Sequence, residues 1–233
     1  MPGIPEHHAT AFISFSGMDG AGKSTQIEAL RVAMEQDGLG VLLVRFWDDI
    51  ALLTRFRETA GHRLFKGDIG VGTPAAPLNR KDKNVQSPSM TIARLLLYGI
   101  DAIATRIAVS RALRTKSDLI IFDRYIYDEL ANLSLESRAI RAYIRIVVRR
   151  IPKPQIRYLL DADPVSARAR KPEYPLDFLH TNRRSYFALS ELIGGFTVIN
   201  PMPIQEVKES ILGLTRSKLS FQLSRRHSQS PPE

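Results

Sequence analysis

Residues 17 to 24, GMDGAGKS, place glycines, a lysine and a hydroxyl group at the spacing G-x-x-x-x-G-K-[ST]. Glycines let such a loop wrap a phosphate with its backbone N–H groups turned inward. Lys23 would reach the outer phosphates of a nucleoside triphosphate, and the hydroxyl of Ser24 would bind Mg²⁺. An apolar run precedes the motif and a helical pattern follows it, as a phosphate-binding loop requires. We therefore predict a site for ATP and Mg²⁺.

The residues expected to contact the triphosphate form the loop and the first helical turn after it. They are Gly17, Gly20, Ala21, Gly22, Lys23, Ser24 and Thr25. The positive end of the helix dipole would add to the attraction. The motif alone does not separate a kinase from a GTPase or an ATP-driven machine.

A second group, Asp123-Arg124-Tyr125, follows an apolar run at residues 119–122. A carboxylate at the end of a buried strand is where phosphate-loop proteins hold the Mg²⁺ shell, so Asp123 is a candidate metal ligand. Arg124 would face the same edge and hold a phosphate by its planar fork. The alternative is an aspartate that caps the next helix beside a surface arginine. Because the phosphate loop is present, we favour the functional interpretation.

A third group, Arg168-Ala169-Arg170-Lys171, lies on a short helical pattern. Arg168 and Arg170 could close over a transferring phosphoryl group, as arginines supplied within the chain do in other phosphoryl transferases. A solvated basic turn is the alternative, and the run taken alone favours it.

Short apolar runs alternate with helical patterns along the whole chain. The predicted strands span residues 11–16, 41–46, 119–122, 155–160 and 196–199. The predicted helices span residues 24–36, 50–60, 87–115, 134–151, 164–170, 176–192 and 204–219. This alternation predicts an α/β fold with a five-stranded parallel sheet and helices on both faces. Ligands of such sheets bind beyond the carboxyl ends of the strands, where the motifs should meet.

A chain of 233 residues suits one domain. We expect that domain at residues 11–219, after a flexible N-terminus at 1–10. A segment rich in glycine, proline and charge predicts a mobile loop at 66–87. If the arginine run does close over a phosphoryl group, it would belong to a helical lid at about 164–175. A polar, proline-tipped end predicts a disordered basic tail at 220–233.

The net charge of +9 suits either nucleic acid or small anionic ligands. The aromatic and basic interleaving of common RNA-binding modules is missing, so we favour nucleotides over nucleic acid. The sequence has no cysteine, which excludes disulfides and thiolate metal sites and fits a cytoplasmic protein. The first residues do not read as a signal peptide, and no apolar run is long enough to predict a membrane span.

These motifs, in this order, resemble those of thymidylate kinases, which are nucleoside monophosphate kinases of the P-loop class. The resemblance runs from about residue 11 to residue 215. Asp19 matches the acidic residue of the family's G-x-D-x-A-G-K-S loop, and residues 123–125 match its D-R-Y. Arg45, at the exit of the second strand, matches an arginine that contacts the acceptor phosphate.

The lid resembles the bacterial form of the family. Gly20 stands where some members carry a P-loop arginine, so the lid arginines would do that work. The resemblance implies a P-loop NTPase fold of three layers, with a short helical lid and a homodimer formed through a helix at 88–115. The activity it implies is ATP-dependent phosphoryl transfer to a nucleoside monophosphate, with dTMP as the first expectation.

The resemblance also implies individual roles. Lys23, the Mg²⁺ held at Ser24, Arg168 and Arg170 would stabilise the γ-phosphoryl group. Arg45 and Arg124 would hold the acceptor phosphate. Asp19 would orient the acceptor sugar or the metal shell.

The expected acceptor pocket departs from the family pattern. Phe46-Trp47-Asp48-Asp49 replaces the E-P-G-G that follows the second strand in bacterial members. Tyr98 matches the aromatic that stacks on thymine, but the arginine expected four residues later is Ala102. Arg94, Tyr98 and Asp101 would share one helical face and form a substrate site, unless Tyr98 is a core aromatic.

The serine-containing stretch that follows D-R-Y in the family is also altered, to Ile126-Tyr127-Asp128-Glu129. These departures keep two alternatives open. One is a P-loop kinase for a different nucleotide or small acceptor. The other is a non-catalytic nucleotide-binding protein.

Overall fold

The computed structural model describes residues 10–50 and 88–227 of the chain. The N-terminal segment before residue 10, the mobile loop predicted at 66–87 and almost all of the helix predicted at 50–60 lie outside the described residues. Residues 228–233 of the predicted tail lie outside them as well. Those predictions remain predictions.

Five parallel strands form one sheet in the order β2-β3-β1-β4-β5. The strands are β1 (Ala11–Ser16), β2 (Val41–Arg45), β3 (Leu119–Asp123), β4 (Ile156–Leu160) and β5 (Phe196–Ile199). Each matches a predicted strand within a residue at either end. The predicted α/β class and the five-stranded parallel sheet are confirmed.

The described helices lie on both faces of this sheet. They are α1 (Lys23–Gln36), α2 (Pro88–Ala112), α3 (Ile126–Leu130), α4 (Arg138–Arg150), α5 (Pro164–Arg170), α6 (Leu176–Ile193) and α7 (Ile204–His227). A π-helical turn, Phe46–Ile50, follows β2 and takes Phe46 out of the predicted strand. No helix among these is both long enough and apolar enough to cross a bilayer.

Three helices differ from the predictions. The short helix α3, directly after Arg124, was not predicted, and α4 begins at Arg138 rather than near residue 134. Ser137 caps α4 by accepting the N–H of Ile140, which explains the later start. The last helix runs to His227 instead of ending near residue 219, so it overlaps the segment assigned to a disordered tail.

The three central strands, β1, β3 and β4, are buried on both faces, and their side chains alternate between two apolar cores. Ile13 and Phe15 of β1 point to the core covered by α1 and α7. Phe12 of β1 and Phe122 of β3 point to the larger core, which α2, α3, α4 and α6 cover. The result is three layers with β1 in the middle of the sheet.

The strand register brings the ends of three strands together. Phe15 pairs with Asp123, and Arg45 pairs with the same Asp123 from the other side. Ser16, the last residue of β1, pairs with Leu159 of β4. The segments that carry the predicted motifs therefore leave the sheet at one edge, next to the start of α1.

Candidate active site

The loop between β1 and α1 can be built only with glycine at two positions. Gly17 and Gly20 have φ angles of 141° and 83°, which residues with a Cβ rarely adopt. A Cβ on Gly17 would collide with the carbonyl oxygen of Leu160, at the end of β4. One on Gly20 would collide with the carbonyl oxygen of Ala167 on α5. The phosphate loop is thus packed tightly between a strand end and the predicted lid helix.

Lys23 is the first residue of α1 and is almost fully buried. Its Nζ donates to the carbonyl oxygens of Gly17 at 2.7 Å and Met18 at 2.8 Å. Burial, assisted by the nearby charge of Arg124, lowers the pKa of this ammonium group to about 7. Ser24 follows it on the exposed side of the first turn, where helix geometry leaves N–H groups free of intrahelical partners.

Arg124 lies between two carboxylates. Its Nη2 donates to Asp19 Oδ1 of the phosphate loop, and its Nη1 donates to Asp128 Oδ1 at 3.2 Å. Burial opposes the charged form, but the carboxylates outweigh it and raise the pKa of Arg124 above its usual value. The structure therefore joins the predicted Asp19 and Arg124 directly.

The backbone of Arg124 is strained. Its φ angle is 68°, and among the described residues no other non-glycine has a positive φ. Such a conformation costs free energy and persists only where surrounding contacts impose it. The Arg124 N–H donates to the carbonyl oxygen of Phe15 at 3.0 Å, which holds the chain against β1 at this point.

Asp128 is the functional candidate that the sequence analysis missed. Its carboxylate is almost fully buried and accepts four hydrogen bonds. Oδ2 accepts from the Ser16 hydroxyl at 2.7 Å and the Tyr125 N–H at 3.3 Å. Oδ1 accepts from Arg124 and, at 2.8 Å, from the hydroxyl of Tyr186 on α6. A possible signal was the position of Asp128 three residues after Tyr125, because a carboxylate there can accept the N–H of the residue that caps a helix.

The predicted metal and acceptor residues at the sheet edge lie close to this network. Asp123 is half-buried, and its charge acts on Lys23, so the two groups are near one another. Arg45 is exposed, and its backbone N–H donates to Asp49 Oδ2 at 2.6 Å. Asp49 belongs to the segment that replaces E-P-G-G, so a side chain of this segment accepts the last N–H group of β2.

The predicted lid helix α5 touches the phosphate loop through one of its two arginines. The Nε of Arg170 donates to the carbonyl oxygen of Gly20 at 2.9 Å. The Nη1 of Arg168 instead donates to the carbonyl oxygen of Tyr174, just beyond the helix. Asp163 caps α5 by accepting the N–H and the hydroxyl of Ser166, both at 2.9 Å. The structure thus places Arg170 against the loop and Arg168 against the segment that leads to α6.

Helix α6 is held to the sheet edge by an arginine that the sequence analysis did not assign. The Nε and Nη2 of Arg183 donate to the two carboxylate oxygens of Asp161 at 2.7 and 2.5 Å. Asp161 directly follows β4 and is almost fully buried. The two parallel hydrogen bonds to Asp161 raise the pKa of Arg183. This pair fixes the helix on which Tyr186 sits.

The residues predicted to contact the acceptor base lie on the covered face of α2. Tyr98 and Ala102 belong to the larger apolar core, and Asp101 is fully buried. Arg94, one turn earlier, is half-buried. The burial of Tyr98 agrees with the alternative of a core aromatic, and it does not test stacking on a base.

Known proteins are similar to the chain along most of its length, although no family model matches it. A probable thymidylate kinase of Pyrococcus abyssi is 27% identical over 223 residues, which cover 89% of the chain and 97% of that protein. The thymidylate kinase of Bifidobacterium longum is 28% identical over 163 residues, which cover 68% of the chain and 70% of that protein.

The fold is likewise shared with a solved structure. The crystal structure of the thymidylate kinase from Ehrlichia chaffeensis has a TM-score of 0.56 and 16% sequence identity, and covers 89% of the chain and 98% of its own. The five-stranded parallel sheet with helices on both faces is in keeping with that fold. The chain is therefore similar to thymidylate kinases over most of its length, and it shares the fold of one of them.

Proposed function

We propose that the chain transfers the γ-phosphoryl group of ATP to the phosphate of a nucleoside monophosphate, with dTMP as the first candidate acceptor. One observation carries this proposal: Arg124 is held by Asp19 of the phosphate loop, beside the ammonium group of Lys23. A donor site for a triphosphate and a cation for a second phosphate thus share one edge of the sheet. The names of the relatives favour dTMP.

The donor nucleotide would lie on the phosphate loop. The Nζ of Lys23 is held at this loop by the carbonyl oxygens of Gly17 and Met18. The first N–H groups of α1 would contact the phosphates. The hydroxyl of Ser24 and the carboxylate of Asp123 lie at this edge and would offer oxygen ligands, the kind that Mg²⁺ prefers. That ion takes few protein ligands and completes its shell with phosphate and water. Bound there, it would neutralise charge on the phosphates.

The acceptor phosphate would lie at Arg124. A guanidinium group carries five N–H donors, and the contacts with Asp19 and Asp128 use one each. N–H groups therefore remain for a phosphate. Arg45 lies at the neighbouring strand end, opposite Asp123 in the register, and supplies a second cation for the same group.

A groove of about 780 Å³ separates residues 131–136 from α6, and Asn132, which lines it, donates to the carbonyl oxygen of Asp128 at 3.0 Å. Neither Arg124 nor a residue of α2 lines this groove, so we do not assign it to the acceptor base. Phosphoryl transfer needs little covalent work from the protein, so Lys23, Arg124 and Arg45 would act by positioning both phosphates and neutralising their charge.

We also propose that the chain forms a homodimer through α2. Large aliphatic side chains, between 44% and 67% exposed, recur at helical spacing along one face of α2: Ile92, Leu96, Ile100, Ile103 and Ile107. A continuous exposed apolar stripe of this kind is typical of a protein–protein interface. Light scattering should show a dimer for the wild type and a monomer for Leu96→Glu, while Val32→Glu on α1 stays dimeric. A monomeric wild type at micromolar concentration would contradict the dimer.

A coupled ADP-release assay with a panel of monophosphates tests the activity. Turnover with dTMP, lost in Lys23→Ala, supports the proposal. Turnover only with another acceptor would favour the second candidate, a kinase of different specificity. That candidate is motivated by Ala102, which is buried and stands where a base-reading arginine is expected. Nucleotide binding without turnover on any acceptor would indicate a non-catalytic protein.

A further inference from the structure

The buried carboxylate of Asp128 has no role in the activity proposed above, yet it connects three parts of the site. It contacts Ser16, the last residue of β1, Arg124, the arginine proposed to bind the acceptor phosphate, and Tyr186 on α6. These partners are distant in the sequence. A buried charge is retained only where its partners compensate for its desolvation.

The geometry excludes a role as a general base. A free lone pair aimed at the reacting hydroxyl or phosphate would be needed for proton transfer. The two oxygens of Asp128 instead accept four hydrogen bonds from the protein, two at each oxygen. The contacts of Asp128 are all with protein groups that hold it still, so it acts through Arg124.

We propose that Asp128 is a positioning residue that holds the Arg124 guanidinium in the orientation that receives the acceptor phosphate, and that Tyr186 ties this orientation to α6. The inference rests on the proposed function in one respect, that Arg124 binds the acceptor phosphate. With one carboxylate, Asp19, the guanidinium could rotate about that contact. The second contact, at 3.2 Å to Asp128, defines its plane.

The connection to α6 carries this positioning toward the lid. Tyr186 lies one turn after Arg183, which α6 uses to bind Asp161 at the end of β4. The same helix follows α5 after a short segment, and Arg170 of α5 contacts Gly20. A movement of α5 and α6 would therefore shift Tyr186 and Asp128 and change the orientation of the Arg124 guanidinium.

The test removes single contacts and separates the two substrates. In Tyr186→Phe, which deletes only the hydroxyl on Asp128, we expect the KM for the monophosphate acceptor to rise about tenfold while the KM for ATP stays within about twofold. In Asp128→Asn we expect a larger rise, because the neutral amide holds Arg124 less strongly and its NH2 group faces two of the four donors whichever way it is turned. Raising the ATP concentration should not restore the acceptor KM of either variant.

Tyr158→Phe is the matched control. It deletes another buried tyrosine hydroxyl, which contacts Thr215 at 2.9 Å in the other core. We expect the same kind of small loss in melting temperature as in Tyr186→Phe, with both KM values unchanged. Equal effects of the two Tyr→Phe variants on acceptor KM would overturn the proposal, since the effect would then be structural.

A readout independent of turnover separates this inference from the proposed function. The side-chain ¹⁵N resonances of Arg124, assigned by their loss in Arg124→Lys, should show hindered rotation in the wild type and in Tyr158→Phe. In Tyr186→Phe the rotation should be faster. A wild type without turnover but with this pattern would refute the function and support the positioning; unchanged rotation in Asp128→Asn or Tyr186→Phe would refute the positioning.

Discussion

The Nε of Arg170 on the lid helix donates to the carbonyl oxygen of Gly20 in the phosphate loop at 2.9 Å. At the same place a Cβ on Gly20 would overlap the carbonyl oxygen of Ala167. The lid helix and the loop thus touch through backbone as well as side chain. A substitution in the loop should therefore alter the packing of α5, and a substitution in α5 should alter the loop.

Gly20→Ala should therefore lower both stability and turnover. Its φ of 83° and the collision with the α5 backbone are expected to cost about 2 kcal/mol or more in the free energy of unfolding. Gly213→Ala on α7, where a Cβ meets nothing within 4 Å, should instead gain up to about 1 kcal/mol. Urea denaturation measures both, and a Gly20→Ala protein as stable and active as the wild type would contradict this packing.

Lys23→Ala should reduce phosphoryl transfer to below about 1% of the wild-type rate, because the charge on the outer phosphates is lost. The fold should persist, since a buried lysine with a lowered pKa adds little stability. Lys218→Ala, an exposed lysine of α7, is the control and should be fully active. Wild-type turnover in a folded Lys23→Ala protein would disprove the phosphate-loop assignment.

Nucleotide binding should weaken as the pH rises above about 7. Burial and Arg124 lower the pKa of Lys23 to about 7 in the free protein, and bound phosphates would raise it again. Below that pH the ammonium is already charged. Above it, binding must take up a proton, so Kd should increase by up to about tenfold per pH unit.

Calorimetry between about pH 7 and 9, in buffers of different ionisation enthalpy, measures this proton uptake directly. Lys23→Ala should show neither the uptake nor the pH dependence in this range. A wild-type Kd that is flat over the same range would mean that Lys23 stays charged without nucleotide.

The double variant Arg168→Ala, Arg170→Ala should lower kcat about 100-fold with little change in ATP affinity, if both side chains act on the transferring group only in a closed state. Each single variant should lose less, because the other arginine partly replaces it. Arg149→Ala, an exposed arginine of α4, serves as the control. An unchanged kcat in the double variant would restore the interpretation of a solvated basic turn.

Discrimination among pyrimidine monophosphates should be weak. A site rejects a wrong base strongly only when it has buried polar groups that would be left unpaired, and Ala102 offers none. We expect kcat/KM values for dTMP, dUMP and dCMP within about tenfold of one another. A preference for dTMP of several hundredfold would show that another residue reads the base.

Restoring an arginine at position 102 is a poor test of this idea. The side chain of Ala102 is only 8% exposed and lies in the larger core, so Ala102→Arg would bury a charge. We expect this variant to melt at lower temperature. Asp101→Asn is the milder change and should reduce any preference for dCMP, since its amide no longer favours a donating base edge over an accepting one.

Much of the site could be predicted because its signals are local. The number and bounds of the five strands along the chain followed from apolar runs, and the loop at Gly17 to Ser24 from its spacing. The helix α3 escaped prediction, because Ile126–Leu130 is too short to show a helical period. Asp128 holds its first turn by accepting the N–H of the cap residue Tyr125, and it also binds Ser16 and Tyr186 on other elements.

The sequence by itself predicted a phosphate-binding loop at the end of β1, since loop, lysine and helix are consecutive. Only the tertiary structure decided how Arg124 is held, because Asp19, Asp128 and Tyr186 come from three separate segments. It also decided that Arg170 contacts the loop and that Arg168 donates to the carbonyl oxygen of Tyr174. Such pairings depend on how α5 and α6 pack over the sheet edge, which no local pattern of residues encodes.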